Sequence, residues 1–199
     1  MNPRRYGLTT LLTLAAVLLA LLTASACGGG SSNSGIPTPT LAATFTPATN
    51  NPAGEAVFMD AGARSGATFT IQVKAANITD LFGVAFRVIY DPTVVEYVSS
   101  SSGSSMLTGG GVQTDFSTAE AVPGTLFVTA TRIQANPFVP GVDFTVPGEL
   151  ISLTFRATRA TAGSSFSFST QQVEICDEVS ETCAASMAPL WSGGTLTVN

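Results

Sequence analysis

The sequence predicts an all-β protein, an antiparallel sandwich of about nine strands that follows an export signal and a flexible linker. Three observations lead to this prediction. Apolar and polar residues alternate in short runs over residues 55–199, turn residues separate the runs, and no stretch there has a helical period. Phe, Val, Ile and Thr, which favour strands, are also abundant in this part of the chain.

Residues 1–26 have the pattern of a secretory signal peptide. Arg4 and Arg5 form a positive start, residues 8–22 form an apolar run, and residues 23–26 are small. The alternative is a membrane-spanning helix, but the apolar run is near the lower limit of about 17 residues for such a helix. We therefore expect this segment to be removed on export.

The signal peptide ends in Ala24-Ser25-Ala26-Cys27, which resembles a bacterial lipobox. The resemblance implies that the thiol of Cys27 takes a diacylglyceryl group and that cleavage leaves Cys27 as the first residue. The sequence thus predicts an exported lipoprotein held at a membrane by its N-terminal lipid. Conventional cleavage after Ala26 is the alternative, because Ala24 stands where lipoboxes prefer Leu.

A linker is predicted over residues 27–54, where Gly, Ser, Thr, Pro and Asn dominate and charged residues are absent. Such a composition is flexible where Gly and Ser prevail and stiffer where Pro recurs. The folded domain is predicted to span residues 55–199.

Alternation defines the predicted strands within this domain. In residues 67–77 it places Phe69, Ile71, Val73 and Ala75 on one face, and in residues 81–90 it places Phe82, Val84, Phe86, Val88 and Tyr90 inward. The nine predicted strands are 57–59, 67–77, 81–90, 94–98, 112–116, 124–133, 149–158, 164–173 and 194–198. A mobile Ser/Gly loop over residues 99–111, with Met106 and Leu107 as possible anchors, interrupts the series.

Composition excludes several functions. The chain contains no histidine, so it cannot build a Ser-His-Asp triad, a Cys-His pair or a histidine-ligated metal site by itself. No motif marks a catalytic pair among its 13 acidic residues. Its net charge of −5 opposes binding to nucleic acid, which requires cations for the phosphates. The sequence therefore predicts no enzyme, cofactor, metal site or nucleic-acid partner.

Cys176 and Cys183 lie in the segment ICDEVSETC, a spacing that suits a bridge across a hairpin or around a loop. Export to an oxidising compartment makes a disulfide the expected state. Asp177, Glu178 and Glu181 lie inside this loop, and they are interpreted as a solvated acidic turn since their spacing does not match a calcium loop.

Three segments resemble the cohesin family. They are Tyr90-Asp91-Pro92-Thr93-Val94-Val95-Glu96, the strand GELISLTFRAT at 148–158, and the terminal WSGGTLTV at 191–198. The resemblance spans residues 55–199. It implies a nine-stranded jelly-roll sandwich that binds a partner module, the dockerin, through one sheet face, as a scaffold part of polysaccharide-degrading assemblies.

The partner-binding residues implied by this resemblance are Gly83, Ala85, Arg87 and Ile89, which alternation places outward on the strand before Tyr-Asp-Pro. Cohesins of the first-described type carry polar residues there, typically Asn and Asp. The sequence therefore predicts a more apolar recognition face or a different ligand, unless a loop covers this face.

Two other functions stay open at this point. A carbohydrate-binding module shares the sandwich architecture and would bind polysaccharide through an exposed aromatic strip around Trp191. A structural surface lipoprotein would use the sandwich only as a spacer and would have a featureless polar surface.

Overall fold

The computed structural model describes residues 40–186 and 189–199. The predicted signal peptide, Cys27 and the start of the linker lie outside these residues. Within them, no helix is both long enough and apolar enough to cross a membrane. The elements are β1 (Ala43–Pro47), β2 (Ala56–Ser65), β3 (Thr68–Ala76), β4 (Ile78–Ile89), β5 (Val95–Ser101), a 3₁₀ segment (Met106–Gly111), β6 (Thr114–Val122), β7 (Thr125–Arg132), β8 (Val142–Phe144), β9 (Gly148–Ala157), β10 (Thr161–Asp177), β11 (Thr182–Ser186), β12 (Leu190–Ser192) and β13 (Gly194–Val198).

The strands form two sheets that face each other, which confirms the predicted β-sandwich. The larger sheet has the order β1-β13-β10-β4-β7-β6, with β11 paired to β10 and β8 to β4. The smaller sheet has the order β12-β2-β3-β9-β5. Pairing is antiparallel, as predicted, except at one edge of the smaller sheet, where β12 and β2 run parallel.

The core lies between the sheets and is rich in aromatic side chains. The residues predicted inward on β3 are all buried, and so are those predicted inward on β4. Phe155 and Phe166 meet at the centre with a ring-centroid distance of 5.2 Å, and Tyr90 packs on both rings. Such edge-to-face and stacked contacts add to the free energy of apolar burial.

All nine predicted strands are present, and four further strands were not predicted. Of these, β8, β11 and β12 are short, and their sequences carry little alternation. The fourth, β1, lies inside the predicted linker, so the linker prediction is wrong for residues 43–47. Phe45 of β1 is 6% exposed and packs edge-to-face on Phe166, which makes β1 part of the core.

Strand β4 contains an irregularity that the alternation pattern missed. Its register against β10 shifts between Gly83 and Leu81, so Leu81 and Val84 both enter the main core. Phe82 is buried as predicted, but it lies in a separate cluster with Val139 and Cys176. A β-bulge explains the difference, because an extra residue reverses the face of every side chain beyond it.

The 3₁₀ segment covers one end of the core. Leu107 is fully buried, and its backbone N–H donates to the Ser105 hydroxyl over 3.4 Å. The buried guanidinium of Arg132 donates to the carbonyl oxygens of Gly109 at 2.9 Å and Gly141 at 3.3 Å. Leu107 and Arg132 therefore hold part of the Ser/Gly loop against the domain.

Candidate functional site

The candidate site is the solvent-side surface of β6, β7, β4 and β10, which we call the front face. Gly83, Ala85, Arg87 and Ile89 lie on it, as alternation predicted. Residues directly opposite in an antiparallel pair share a face. The β7 residues opposite these four are Thr131, Thr129, Phe127 and Thr125. The β10 residues opposite them are Glu174, Gln172, Ser169 and Ser167.

The four predicted residues are exposed to different degrees. Arg87 is exposed, whereas Ala85 and Ile89 are half-buried. Gly83 is buried, because the side chain of Thr131 lies over it: a Cβ at Gly83 would come within 2.5 Å of the Thr131 hydroxyl. Gly83 thus shapes the front face through the space it leaves for Thr131.

The centre of the front face is shallow. A depression of about 200 Å³ lies there, and its lining includes Ala85, Thr129, Thr131 and Gln172. A larger groove of about 490 Å³ lies beside the β6–β7 hairpin. The sequence analysis did not predict that the β7 residues and Val122 belong to the front face. The alternation of TLFVTATR in β7 is a signal that could have placed Phe127 on the outward side.

A strained residue borders the front face. Thr170 has a φ of +49° and lies where the register of β10 against β4 shifts between Ser169 and Gln172. A β-branched residue in this region is a genuine outlier. Such strain and such bulges are concentrated at functional sites. No local sequence signal marks this bulge.

The opposite surface of the sandwich differs in its polar contacts. On the outer side of β2, β3 and β9, Lys74 pairs with Asp60 at 2.6 Å, and Gln72 donates to Glu149 at 2.7 Å. The neighbouring Arg156 pairs with Glu96. In the described part of the chain, by contrast, no front-face side chain forms a hydrogen bond or ion pair with another side chain. Apart from the Thr131 hydroxyl, which donates to the Arg132 carbonyl oxygen at 3.0 Å, the polar side chains of the front face are therefore available to a partner.

The predicted disulfide is present at one edge of the front face. Cys176 on β10 lies directly opposite Cys183 on β11, and the two sulfurs are bonded. Gln134 Nε2 donates to the carbonyl oxygen of Val139 at 2.8 Å and contacts Cys183 Sγ at 3.2 Å. The bridge and Gln134 together fasten the loop after β7 to the β10–β11 hairpin.

Acidic side chains gather near this hairpin. Burial, followed by the charges of Asp143, Asp177 and Glu178, raises the pKa of Asp80 above its usual value. Among the described residues, the only group of three potential metal ligands with mutually close atoms is Glu174, Cys176 and Cys183. Since both cysteines are bonded to each other, this group does not supply thiolate ligands.

Trp191 does not form an exposed aromatic strip. Its ring packs against Phe168 with a centroid distance of 5.0 Å and against Phe86 with a distance of 5.6 Å. Neither contact is coplanar, and Trp191 is partly buried. Trp191 is therefore a residue of the core edge, and the feature that would favour a carbohydrate-binding module is missing at this position.

Comparison with known proteins places this geometry in a family. The family described as the cohesin domain matches residues 54–183. No curated protein sequence is significantly similar to the chain.

Three solved structures illustrate the shared fold. The seventh ScaB type I cohesin of Pseudobacteroides cellulosolvens has 15% identity and a TM-score of 0.53, and the match covers 71% of this chain and 90% of that chain. A type II cohesin domain from the cellulosome of Acetivibrio cellulolyticus has 15% identity and a TM-score of 0.53, with 71% and 93% covered. A novel type I cohesin–dockerin complex from Clostridium thermocellum gives 16% identity and a TM-score of 0.52, with 74% and 95% covered.

At these identities the structural similarity concerns the fold, whereas the family match covers most of the chain. The sandwich, the Tyr-Asp-Pro turn after β4 and the family match agree with one another. The chain belongs to the cohesin family, whose domains are non-catalytic protein-binding modules.

Proposed function

We propose that the chain is a lipid-anchored cohesin whose front face binds a dockerin-type partner module. The observation that carries this proposal is the contrast between the two outer surfaces of the sandwich. The polar side chains behind β2, β3 and β9 are paired with one another, whereas those of the front face are not. Unpaired groups on a flat, partly apolar surface suit a protein partner.

The structure from Clostridium thermocellum supports this proposal, since it is described as a cohesin–dockerin complex of a similar module. On β4, the front face lacks the Asn and Asp residues expected of the first-described cohesin type and carries Gly83, Ala85 and Ile89 instead. Recognition here relies on shape and apolar contact more than on a row of polar side chains.

The anchor is part of the proposal. Lipidation of Cys27 and a tether that ends at β1 hold the domain at a membrane on the outside of the cell. A single acyl chain holds a protein only weakly, whereas several chains hold it firmly. A dockerin-bearing partner would then be retained at the surface, in the context of polysaccharide degradation or surface assembly.

The test measures binding of the full-length chain, extracted in detergent, to a panel of immobilised dockerin modules, with calcium and with a chelator. Thr129→Arg places a long cation at the centre of the front face. Thr70→Arg is the matched control, because Thr70 is also half-buried and also lies on a central strand, but on the opposite surface. We expect Thr129→Arg to weaken binding by about 30-fold or more and Thr70→Arg to leave it unchanged.

Equal weakening by both variants, or by neither, would overturn the front face as the binding surface. If no dockerin binds but the chain is retained on insoluble polysaccharide, the function is that of a carbohydrate-binding module. If neither ligand binds, a structural role as a spacer replaces the proposal.

A further inference from the structure

The groove beside the β6–β7 hairpin, which we call the hairpin groove, is more apolar than the central depression of the front face. Its lining comprises Arg87, Ala119, Ala121, Val122, Thr125 and Phe127. Phe127 is 39% exposed and Val122 is 61% exposed. Alanines 119 and 121 leave the space between these two larger side chains open, so the groove can receive a bulky apolar group.

Arg87 stands at the wall of this groove without a counter-ion. It lies directly opposite Phe127 in the register of β4 and β7. Among the described residues, the ion pairs are Lys74 with Asp60 and Arg156 with Glu96, and neither involves Arg87.

The acidic groups of the neighbourhood do not reach Arg87. Glu174 lies opposite Gly83, which is four residues, or about 13 Å, along β4. Glu120 lies near the groove, but its carboxylate accepts from the Tyr90 hydroxyl and from the backbone N–H of Gly124. Arg87 therefore offers an unneutralised cation to the solvent.

We propose that the hairpin groove selects the partner, and that it takes a bulky apolar side chain with a carboxylate beside it. The apolar side chain would lie between Val122 and Phe127, and the carboxylate would pair with Arg87. This inference rests on the proposed function, and it names the chemistry of the partner at the same surface.

Charge explains why such a partner would be selected. The domain has six of the chain's Lys and Arg residues and all 13 of its acids, so an acidic partner is repelled at most places. At Arg87 the same partner gains a charge-assisted hydrogen bond, strengthened by the apolar wall of Phe127. A partner without the carboxylate would leave the guanidinium unpaired on binding.

The tip of the β10–β11 hairpin in a second copy of this chain also combines an apolar side chain with carboxylates. Val179 at the tip of the β10–β11 hairpin is 95% exposed, and Glu178 and Glu181 lie close to it in sequence. We commit to a separate partner rather than to a second copy, because two copies of this acidic chain repel each other and a head-to-tail contact of tip with groove forms a ring or an open filament instead of a simple two-fold dimer. The experiment distinguishes the two.

The probe is a phage-displayed library of α-helical hairpins with randomised surface positions, selected on the full-length chain. We expect the selected binders to carry Asp or Glu next to Leu, Met or Phe. Arg87→Glu should weaken them by about tenfold or more, and replacing the binder's carboxylate by Arg should restore binding to the Arg87→Glu chain. Arg159→Glu is the control, since it changes the net charge equally at an exposed site outside the front face.

The outcomes separate this inference from the proposed function. Binders that are lost with Thr129→Arg but not with Arg87→Glu would overturn the inference and leave the front face as the binding surface. Binders that keep their affinity for both the Thr129→Arg and the Arg87→Glu variant would contradict both proposals. Self-association of the chain alone that disappears with Val179→Ser would identify a second copy as the occupant and overturn the inference.

Discussion

The hydroxyl of Tyr90 donates a hydrogen bond to the carboxylate of Glu120 and so joins the end of β4 to the β6–β7 hairpin. The Tyr90 ring is buried and stacks on Phe166 with a centroid distance of 5.7 Å. Glu120 also accepts from the backbone N–H of Gly124 at 3.0 Å. One carboxylate therefore fixes the hairpin that forms one end of the hairpin groove.

This contact predicts a loss of stability in alkaline solution. Burial, the hydrogen bond to Glu120 and the charge of Glu120 raise the pKa of Tyr90 far above its usual range. Because the pKa of Tyr90 is higher in the folded than in the unfolded state, its contribution to the free energy of unfolding does not change with pH below the unfolded pKa of about 10. As the pH rises above about 10, the free energy of unfolding falls. Urea unfolding at increasing pH should show this decline, and Tyr90→Phe should flatten it. An unchanged slope in Tyr90→Phe would assign the decline to other groups.

Gly124 should be intolerant of a side chain. Its φ is +83°, and a Cβ there would lie 2.6 Å from the Tyr90 carbonyl oxygen and 2.7 Å from Pro92. Gly124→Ala should lower the free energy of unfolding by about 1–3 kcal/mol. Gly54→Ala is the control, because no atom lies within 4 Å of its Cβ position. Equal stabilities of the two variants in denaturant titrations would show that the turn can relax.

Phe45 should contribute to folding although it lies in the predicted linker. Because its ring is buried against Phe166, Phe45→Ala should cost about 3 kcal/mol in the free energy of unfolding. The neighbouring Thr46 is exposed, and Thr46→Ala should change the stability little. If Phe45→Ala left the free energy of unfolding unchanged, β1 would not contribute to the core and would belong to the linker.

Removing the disulfide should destabilise the β10–β11 hairpin. The bridge closes a loop with a sequence separation of 7 residues, and the chain-entropy relation gives about 2.5 kcal/mol for a loop of this size. The double variant Cys176→Ala, Cys183→Ala should lose about this amount in thermal or urea unfolding. Amide hydrogen exchange should then rise first near Gln134 and Val139, which the bridge holds in place. Uniform exchange across the domain would contradict this local effect.

Lipidation of Cys27 should decide whether the chain partitions into the detergent phase or the aqueous phase of a phase-separation experiment. In a bacterial host with lipoprotein processing, we expect the mature chain to enter the detergent phase and its N-terminal peptide to carry the mass of the acyl groups. Cys27→Ser should shift the chain to the aqueous phase, whereas the Cys176→Ala, Cys183→Ala variant should remain with detergent. If the wild-type chain stayed in the aqueous phase and its N-terminal peptide began at an unmodified Cys27, the signal peptide would be cleaved conventionally after Ala26.

The sequence by itself determined the architecture and the inward residues of most strands. Alternation is a local property of the extended chain, so Phe69, Ile71 and Val73 could be placed in the core without knowledge of their neighbours. The turn at Asp91 was also predictable, since Asp91 accepts from the backbone and hydroxyl of Thr93 as Asp-Pro turns require. The Cys176–Cys183 bridge was predictable from its spacing.

Tertiary structure alone decided which strands lie side by side and which side chains therefore meet. Arg87 and Phe127 become neighbours because β4 pairs with β7, and nothing in the sequence near either residue determines that pairing. The same holds for β1, whose place in the sheet comes from pairing with β13 at the far end of the chain. The bulge that carries Phe82 to another cluster is likewise set by the register against β10. Such contacts depend on the packing of distant segments, whereas alternation reports only the two faces of a single strand.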